Sequence, residues 1–254
     1  GEQWTHGLKR PYIMVAVENK VVIITGATSG IGLATARAFT AAGARVVPAS
    51  RRSTPPCDVT KDDDVRQLVE CTLAEFGRID ILINNAGAGL RALLVDVKPE
   101  DARQVMELNF FGALRCIKAV LPVMQRQGSG QIVNISSVIG VVATPRNSIY
   151  CASKFALRAL SDALRMELHG TGIDVISVLP GYTDTPFFDQ MIRYDGSARL
   201  SPFRGQSPEK VARAILKACR CRKREVALTL PGILGCWLQR FAAPLVEWSL
   251  RRSA

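Results

Sequence analysis

The stretch Val21-Val22-Ile23-Ile24-Thr25-Gly26-Ala27-Thr28-Ser29-Gly30-Ile31-Gly32 runs from a β-branched strand through a glycine-rich turn into a segment of helical period. Glycine permits the tight turn and lets a ligand approach the backbone closely. A helix that starts here offers free N–H groups and the positive end of its dipole to a pyrophosphate. Gly26, Thr28, Ser29, Gly30, Ile31 and Gly32 are therefore candidate dinucleotide contacts.

Outward from this turn, short β-branched runs alternate with longer helical segments. This is the pattern of an α/β fold: a doubly wound parallel sheet of the Rossmann type, covered on both faces. Strands are expected at 20–25, 44–49, 79–84, 131–136, 173–179 and 225–230, with helices at 30–42, 61–76, 99–127, 148–169, 207–218 and 232–250. One interval is too short. Only five residues separate Arg52 from Asp58, whereas a parallel crossover takes at least about 10–12. The region after the second strand is thus shortened, and Pro48, which has no N–H to give, suits an edge strand. The second strand is expected at or near the sheet edge.

A chain of 254 residues suits one catalytic domain over 17–254, preceded by an arm over 1–16. No stretch reaches the roughly 18 apolar residues of a membrane span. The seven cysteines lack paired CxxC spacing, which argues against a disulfide framework or zinc site and for a reducing cytoplasm. Two histidines, His6 and His169, leave little material for metal or triad chemistry, and no metal is expected. The formal charge of +11 comes from dispersed basic residues with no nucleic-acid motif, so a solvated basic face and an anionic cofactor are expected, without nucleic acid.

At the end of the second strand, where a carboxylate would hold a ribose 2′-hydroxyl, the chain has Ser50-Arg51-Arg52. Two guanidiniums suit a 2′-phosphate. NADP(H) is expected, with NAD(H) as the alternative. Further on, Tyr150-Cys151-Ala152-Ser153-Lys154 puts a phenol and an ammonium one helical turn apart on the same face. A nearby cation favours the phenolate and would bring Tyr150, from a reference pKa of about 10, toward acid–base work near neutrality.

Together with Asn84-Asn85-Ala86-Gly87, Asn109, Ser136-Ser137 and Pro180-Gly181, these motifs resemble the compact single-domain branch of the short-chain dehydrogenase/reductase family, from about Val17 to Leu230. That resemblance implies a carbonyl reductase or alcohol dehydrogenase in which Tyr150 exchanges the proton and Ser137 polarises the substrate oxygen. Lys154 would hold the nicotinamide ribose and lower the Tyr150 pKa, and Asn109 would anchor a water behind Lys154. It also implies that Asp58 and Val59 meet the adenine, that Asn85, Ala86 and Gly87 flank the cofactor through their backbone, and that Pro180, Gly181, Thr183 and Thr185 meet the carboxamide. Thr183 replaces a common aliphatic residue, and Ser29 replaces the basic residue that many NADP-dependent members carry. A homodimer or homotetramer is implied as well.

Between Thr185 and Ser207 a lid is expected, carrying Phe187, Phe188, Met191, Ile192, Tyr194 and Phe203, which suits an apolar small-molecule carbonyl or alcohol. A 3-oxoacyl thioester is the second substrate reading, and a non-catalytic NADP(H)-sensing regulator is the alternative from another class. The final helix places Ile233, Leu234, Trp237, Leu238, Phe241, Leu245 and Trp248 at helical spacing. Protein contacts are favoured there over peripheral contact with an anionic membrane.

Overall fold

The computed structural model describes residues 15–194, 205–244 and 246. Six parallel strands form the sheet: β1 (Val21–Thr25), β2 (Arg45–Ala49), β3 (Ile81–Asn84), β5 (Gly130–Ile135), β6 (Ile173–Leu179) and β8 (Glu225–Ala227), in spatial order β2-β1-β3-β5-β6-β8. The β-branched runs read as strands because both faces are covered. Ile23, Leu82, Ile132 and Val175 pack toward α2 (Asp62–Phe76), α4 (Gly112–Gln127) and α5 (Ser148–Glu167). Ile24, Ile83, Val133 and Ile176 pack toward α1 (Gly30–Ala41) and α6 (Pro208–Arg220). The chain therefore forms the expected doubly wound sheet, and the crossover direction reverses on either side of β1, which opens a crevice at the carboxyl ends of β1 and β3.

β2 pairs with β1 alone and is an edge strand, as the short interval after it required. Pro48, opposite Ile24, is exposed on that edge. In place of a crossover, residues 50–57 form a tight loop. Ser53 Oγ donates to the Ser50 carbonyl at 2.7 Å, and the Cys57 amide returns to the same carbonyl at 2.8 Å.

Several boundaries differ from expectation. The 99–127 helix is divided into α3 (Pro99–Met106) and α4 by a π turn over Glu107–Phe111, because buried Asn109 turns its side chain toward the loop after β3 and widens the local winding. β8 stops at Ala227, and Thr229 caps an earlier start of α7 (Leu230–Phe241) by accepting from the Gly232 amide. α7 ends at Phe241, where Ala242 leaves helical geometry. Leu245 and Trp248 of the longer expected helix lie outside the described residues, as do 195–204 of the expected lid and 1–14 of the arm. Two two-residue strands, β4 (Leu90–Arg91) and β7 (Ile192–Arg193), pair in parallel and tie the lid to the loop after β3. Among the described residues no helix is long and apolar enough to cross a membrane.

Candidate active site

The crevice is a cavity of about 610 Å³ that runs from Arg51 and Arg52, past the glycine turn, to Ser137, Tyr150 and Lys154. Its first wall is the turn after β1. Gly26 and Gly30 have positive φ, 65° and 51°, a region that glycine enters without strain. Ser29 precedes α1 without a side-chain cap, and no acid lies in the helix's first turn, so the starting N–H groups have no competing local acceptor for an anion. Gly32 does not line the cavity. A Cβ there would sit 2.1 Å from the Gly26 carbonyl oxygen, so this glycine serves close packing of helix against turn. Thr28, Ser29 and Ile31 do line the cavity.

The opposite wall follows β3. Thr25 Oγ1 accepts from the Asn85 and Ala86 amides, both at 3.0 Å, while Asn85 Nδ2 donates to the Thr25 and Gly26 carbonyls at 3.0 and 3.1 Å. The Asn85 side chain thus binds the two turns together and leaves the backbone of Asn85, Ala86 and Gly87 to face the cavity. The segment after β6 closes that end through Pro180, Gly181, Thr183 and Thr185, and the Thr185 side chain lies 3.1 Å from where a Gly30 Cβ would stand.

Asp58 and Val59 line the edge-strand end. Burial pushes the Asp58 carboxyl up, but hydrogen bonds from the Thr60 amide and hydroxyl, at 3.0 and 2.8 Å to Oδ1, together with Arg51 and Lys61, outweigh it and hold the pKa below the usual value. The short loop has kept Asp58 at the cleft. Arg51 and Arg52 are exposed at the same end.

At the far end α5 carries Tyr150 and Lys154 on one face, as their spacing requires, with Lys154 Nζ 5.8 Å from the centre of the Tyr150 ring. Lys154 is buried and donates to the Ile135 carbonyl at 2.9 Å, and burial lowers its pKa to about 8. The expectation that Lys154 lowers the Tyr150 pKa is not met within the protein's own groups. Burial pushes the phenol up and Cys151 adds to the rise, whereas the hydrogen bond with Ser137 offsets only part of it. Ser137 Oγ also lies 3.4 Å from the Pro180 carbonyl, which it meets as donor.

Asn109 does not line the cavity. Its Oδ1 accepts from the Ala88 amide at 2.8 Å, and its Nδ2 donates to the Ala88 carbonyl and to Ser153 Oγ, both at 2.9 Å. With those bonds the side chain positions the loop behind Gly87. Ser153, given no role by the sequence reading, completes this network by donating to the Tyr150 carbonyl at 2.7 Å. Also unforeseen are Gln104, Glu107 and Leu108, which line the cavity from the α3 end and the π turn. The lid contributes Phe187, Phe188 and Met191, with the Phe187 ring 5.7 Å from that of Tyr150.

A glycine turn against an uncapped helix start, joined by one crevice to a half-buried Tyr150 and Ser137 beside the buried Lys154, defines a dinucleotide-binding oxidoreductase of the Rossmann type. Residues 20–194 match the short chain dehydrogenase family. The chain is 37% identical over 247 residues to dehydrogenase/reductase SDR family member 7B of Bos taurus, spanning 85% of this chain and 75% of that protein. It is 37% identical over 217 residues to a 3-ketodihydrosphingosine reductase of Bacteroides thetaiotaomicron, spanning 82% and 78%. A solved short chain dehydrogenase from Burkholderia cenocepacia in complex with NADP superposes with a TM-score of 0.82 at 28% identity, covering 93% of this chain and 99% of that one. Another structural neighbour is in complex with NAD. The chain belongs to the short-chain dehydrogenase/reductase family of oxidoreductases.

Proposed function

We propose that the protein interconverts a carbonyl and a primary or secondary alcohol on an apolar small molecule, using NADP(H). The observation that carries this reading is the single crevice with Arg51 and Arg52 at one end and Ser137, Tyr150 and Lys154 at the other. The dinucleotide fits the chain's own features: the α1 start is free for a pyrophosphate, and the Cβ-less positions Gly26 and Gly30 leave room beside it. Arg51 and Arg52 favour a 2′-phosphate over a bare ribose, which supports NADP(H) over NAD(H). Asp58 Oδ1 is occupied by Thr60, which leaves Oδ2 for the adenine amino group.

When bound, the nicotinamide supplies or accepts the hydride. The protein supplies orientation and one proton. Ser137 holds and polarises the substrate oxygen. Tyr150, with its raised pKa, keeps its proton at neutral pH and delivers it to the developing alkoxide in reduction; it takes the proton back in oxidation. Lys154 is fixed by Ile135 to hold the ribose, and Asn109 positions the loop around Gly87. Phe187, Phe188 and Met191 give the substrate end its apolar character.

Residues 17–254 act in this reading as one catalytic domain. The free cysteines among the described residues fit a reducing cytoplasm. Exposed Phe111 and Phe155 offer apolar contacts for a homodimer or homotetramer.

The test is consumption of NADPH and NADH against aliphatic aldehydes, apolar ring ketones, a steroid ketone and a β-ketoacyl thioester. Turnover of one class that is abolished by Tyr150→Phe, with cofactor binding retained, is the expected result. Tight NADPH binding with no turnover of any class would overturn the assignment in favour of a cofactor-reading regulator.

A further inference from the structure

Two exposed apolar clusters adjoin elements that line the substrate end of the crevice. On one side α7 turns Ile233, Leu234, Trp237 and Phe241 outward, 48–69% exposed, with the Trp237 and Phe241 rings 5.1 Å apart. Its other side packs against the turn Val138–Gly140: a Cβ at Gly232 would meet Val138 at 2.5 Å. Val138 and Ile139 themselves line the crevice. α7 thus packs behind the crevice-lining Val138, and its outer face has no partner among the described residues.

On the other side, Leu93, Leu94 and Val95 are 48%, 65% and 87% exposed. They follow β4, which pairs with β7 immediately after the crevice-lining Gln190 and Met191. Each cluster therefore adjoins an element that contributes to the crevice lining: α7 through Val138, and the 93–95 turn through β4 and β7. A solvated rim would carry polar side chains there, and exposed apolar patches of this kind mark contact with protein or lipid.

Two further observations favour lipid. A second copy of the chain seated on both clusters would roof the mouth through which substrate passes, whereas a lipid surface holds an apolar substrate in solution directly against it. Charge points the same way. The chain has a formal charge of +11, and α6, which leads into β8 and α7, exposes Lys210, Arg213 and Lys217 with no ion pair among the described residues. Glu209 is the one acid of that helix. Asp96 and Glu100 offset Lys98 on the β4 side, so the unpaired positive charge lies on α6, the helix that precedes β8 and α7 in the chain.

We propose that α7 and the Leu93–Val95 turn together form a peripheral docking surface for anionic lipid bilayers, which sets the crevice mouth against the membrane to exchange an apolar substrate with it. This reverses the preference for protein contacts drawn from the helix pattern alone, because the structure adds the second cluster and its position. It builds on the apolar substrate reading, but binding to vesicles is measured without turnover, so either can fail alone.

The full chain is floated with vesicles of phosphatidylcholine alone and of phosphatidylcholine with phosphatidylserine, at low and high salt. Trp237→Glu/Phe241→Glu and Leu94→Glu/Val95→Glu change exposed residues only, and thermal unfolding with NADPH binding checks that each is folded. The expected result is flotation with the anionic vesicles, weakened by salt, and a drop of roughly tenfold in the bound fraction for each double variant. Absence of flotation overturns the proposal. So does flotation that both variants retain, or a dimer in solution that Trp237→Glu/Phe241→Glu converts to monomer while vesicle binding is nil, which would assign the surface to a second copy.

Discussion

Replacing Thr25 with valine tests the joint that holds the two cofactor-side turns together. The side chain keeps its shape and loses one oxygen, but that oxygen accepts from two backbone amides, Asn85 and Ala86, at 3.0 Å each. Thr25 is 2% exposed, so water cannot replace the hydroxyl from its own side. Stranding a buried donor costs about 1–3 kcal/mol. Asn85 and Ala86 are only half-buried, so the lower half of that range applies to each, about 2–4 kcal/mol together. The added methyl returns up to about 0.8 kcal/mol. The net destabilisation is about 1–3 kcal/mol, a sizeable part of the ~5–15 kcal/mol that typically separates folded from unfolded chains. Urea unfolding followed by circular dichroism measures it, with Thr25→Ser as the partner variant that keeps the acceptor. Valine should fall well below serine in stability and should weaken NADPH binding, since the loop it releases carries Asn85, Ala86 and Gly87. If valine and serine agree within about 0.5 kcal/mol, the hydroxyl does not hold the joint and the argument fails.

Arg51→Asp should weaken NADPH binding by roughly tenfold or more relative to NADH, read by fluorescence titration, because a guanidinium–phosphate contact becomes a repulsion; an unchanged ratio removes the 2′-phosphate assignment. Gly32→Ala should unfold more readily by about 1–3 kcal/mol and bind cofactor poorly, since the new methyl meets the Gly26 backbone and cannot be accommodated by a side-chain rotation; near-native melting and binding would contradict the packing role. Lys154→Met addresses the sign of the lysine's shift. The folded pKa of about 8 lies below the reference of 10.5, so the burial penalty is fully present below pH 8 and is relieved as pH rises toward the unfolded value. Wild type should therefore gain on Lys154→Met by up to about 3 kcal/mol across that window. A stability difference that stays flat from pH 7 to 10 would show that Lys154 is not desolvated.

The readable parts of the molecule are those where a local pattern carries the physics. The 21–32 stretch displays its strand, turn and helix start in order, and the four-residue step from Tyr150 to Lys154 needs only a helix to bring both to one face. Even the edge position of β2 was legible, from a deficit: too few residues before Asp58 for a crossover, and a proline inside the strand. What was not legible depends on partners distant in sequence. The π turn exists because Asn109 satisfies Ala88 and Ser153, and nothing at 107–111 breaks the helical pattern. β4 and β7 are two residues each, below the length at which alternation can be recognised. Gly89 was a signal available for that contact, since a Cβ there would lie 2.4 Å from Met191. The upward push on the Tyr150 phenol was not legible for a similar reason: spacing shows a neighbouring cation but not the burial, which exceeds the lowering by the Ser137 hydrogen bond.

The shortened loop after β2 shows how the fold separates what it needs from what it can lose. The crevice is built from the carboxyl ends of β1, β3, β5 and β6, which are central strands held by neighbours on both sides. β2 contributes only the exposed end with Arg51 and Arg52, and an edge strand can do this with one neighbour. What a crossover beyond β2 would otherwise position is Asp58, and here a ring of local bonds does so: Ser53 to Ser50, Cys57 to Ser50, and the Asp58 amide to Asp64 at 2.8 Å. In the proposed reading the shortening therefore falls on the side of the cleft that chooses between dinucleotides, and leaves untouched the side assigned to proton transfer. Selectivity between NADPH and NADH should accordingly be sensitive to this loop, while the Tyr150 chemistry depends on α5 and on Ser137 after β5, at the opposite end of the same crevice.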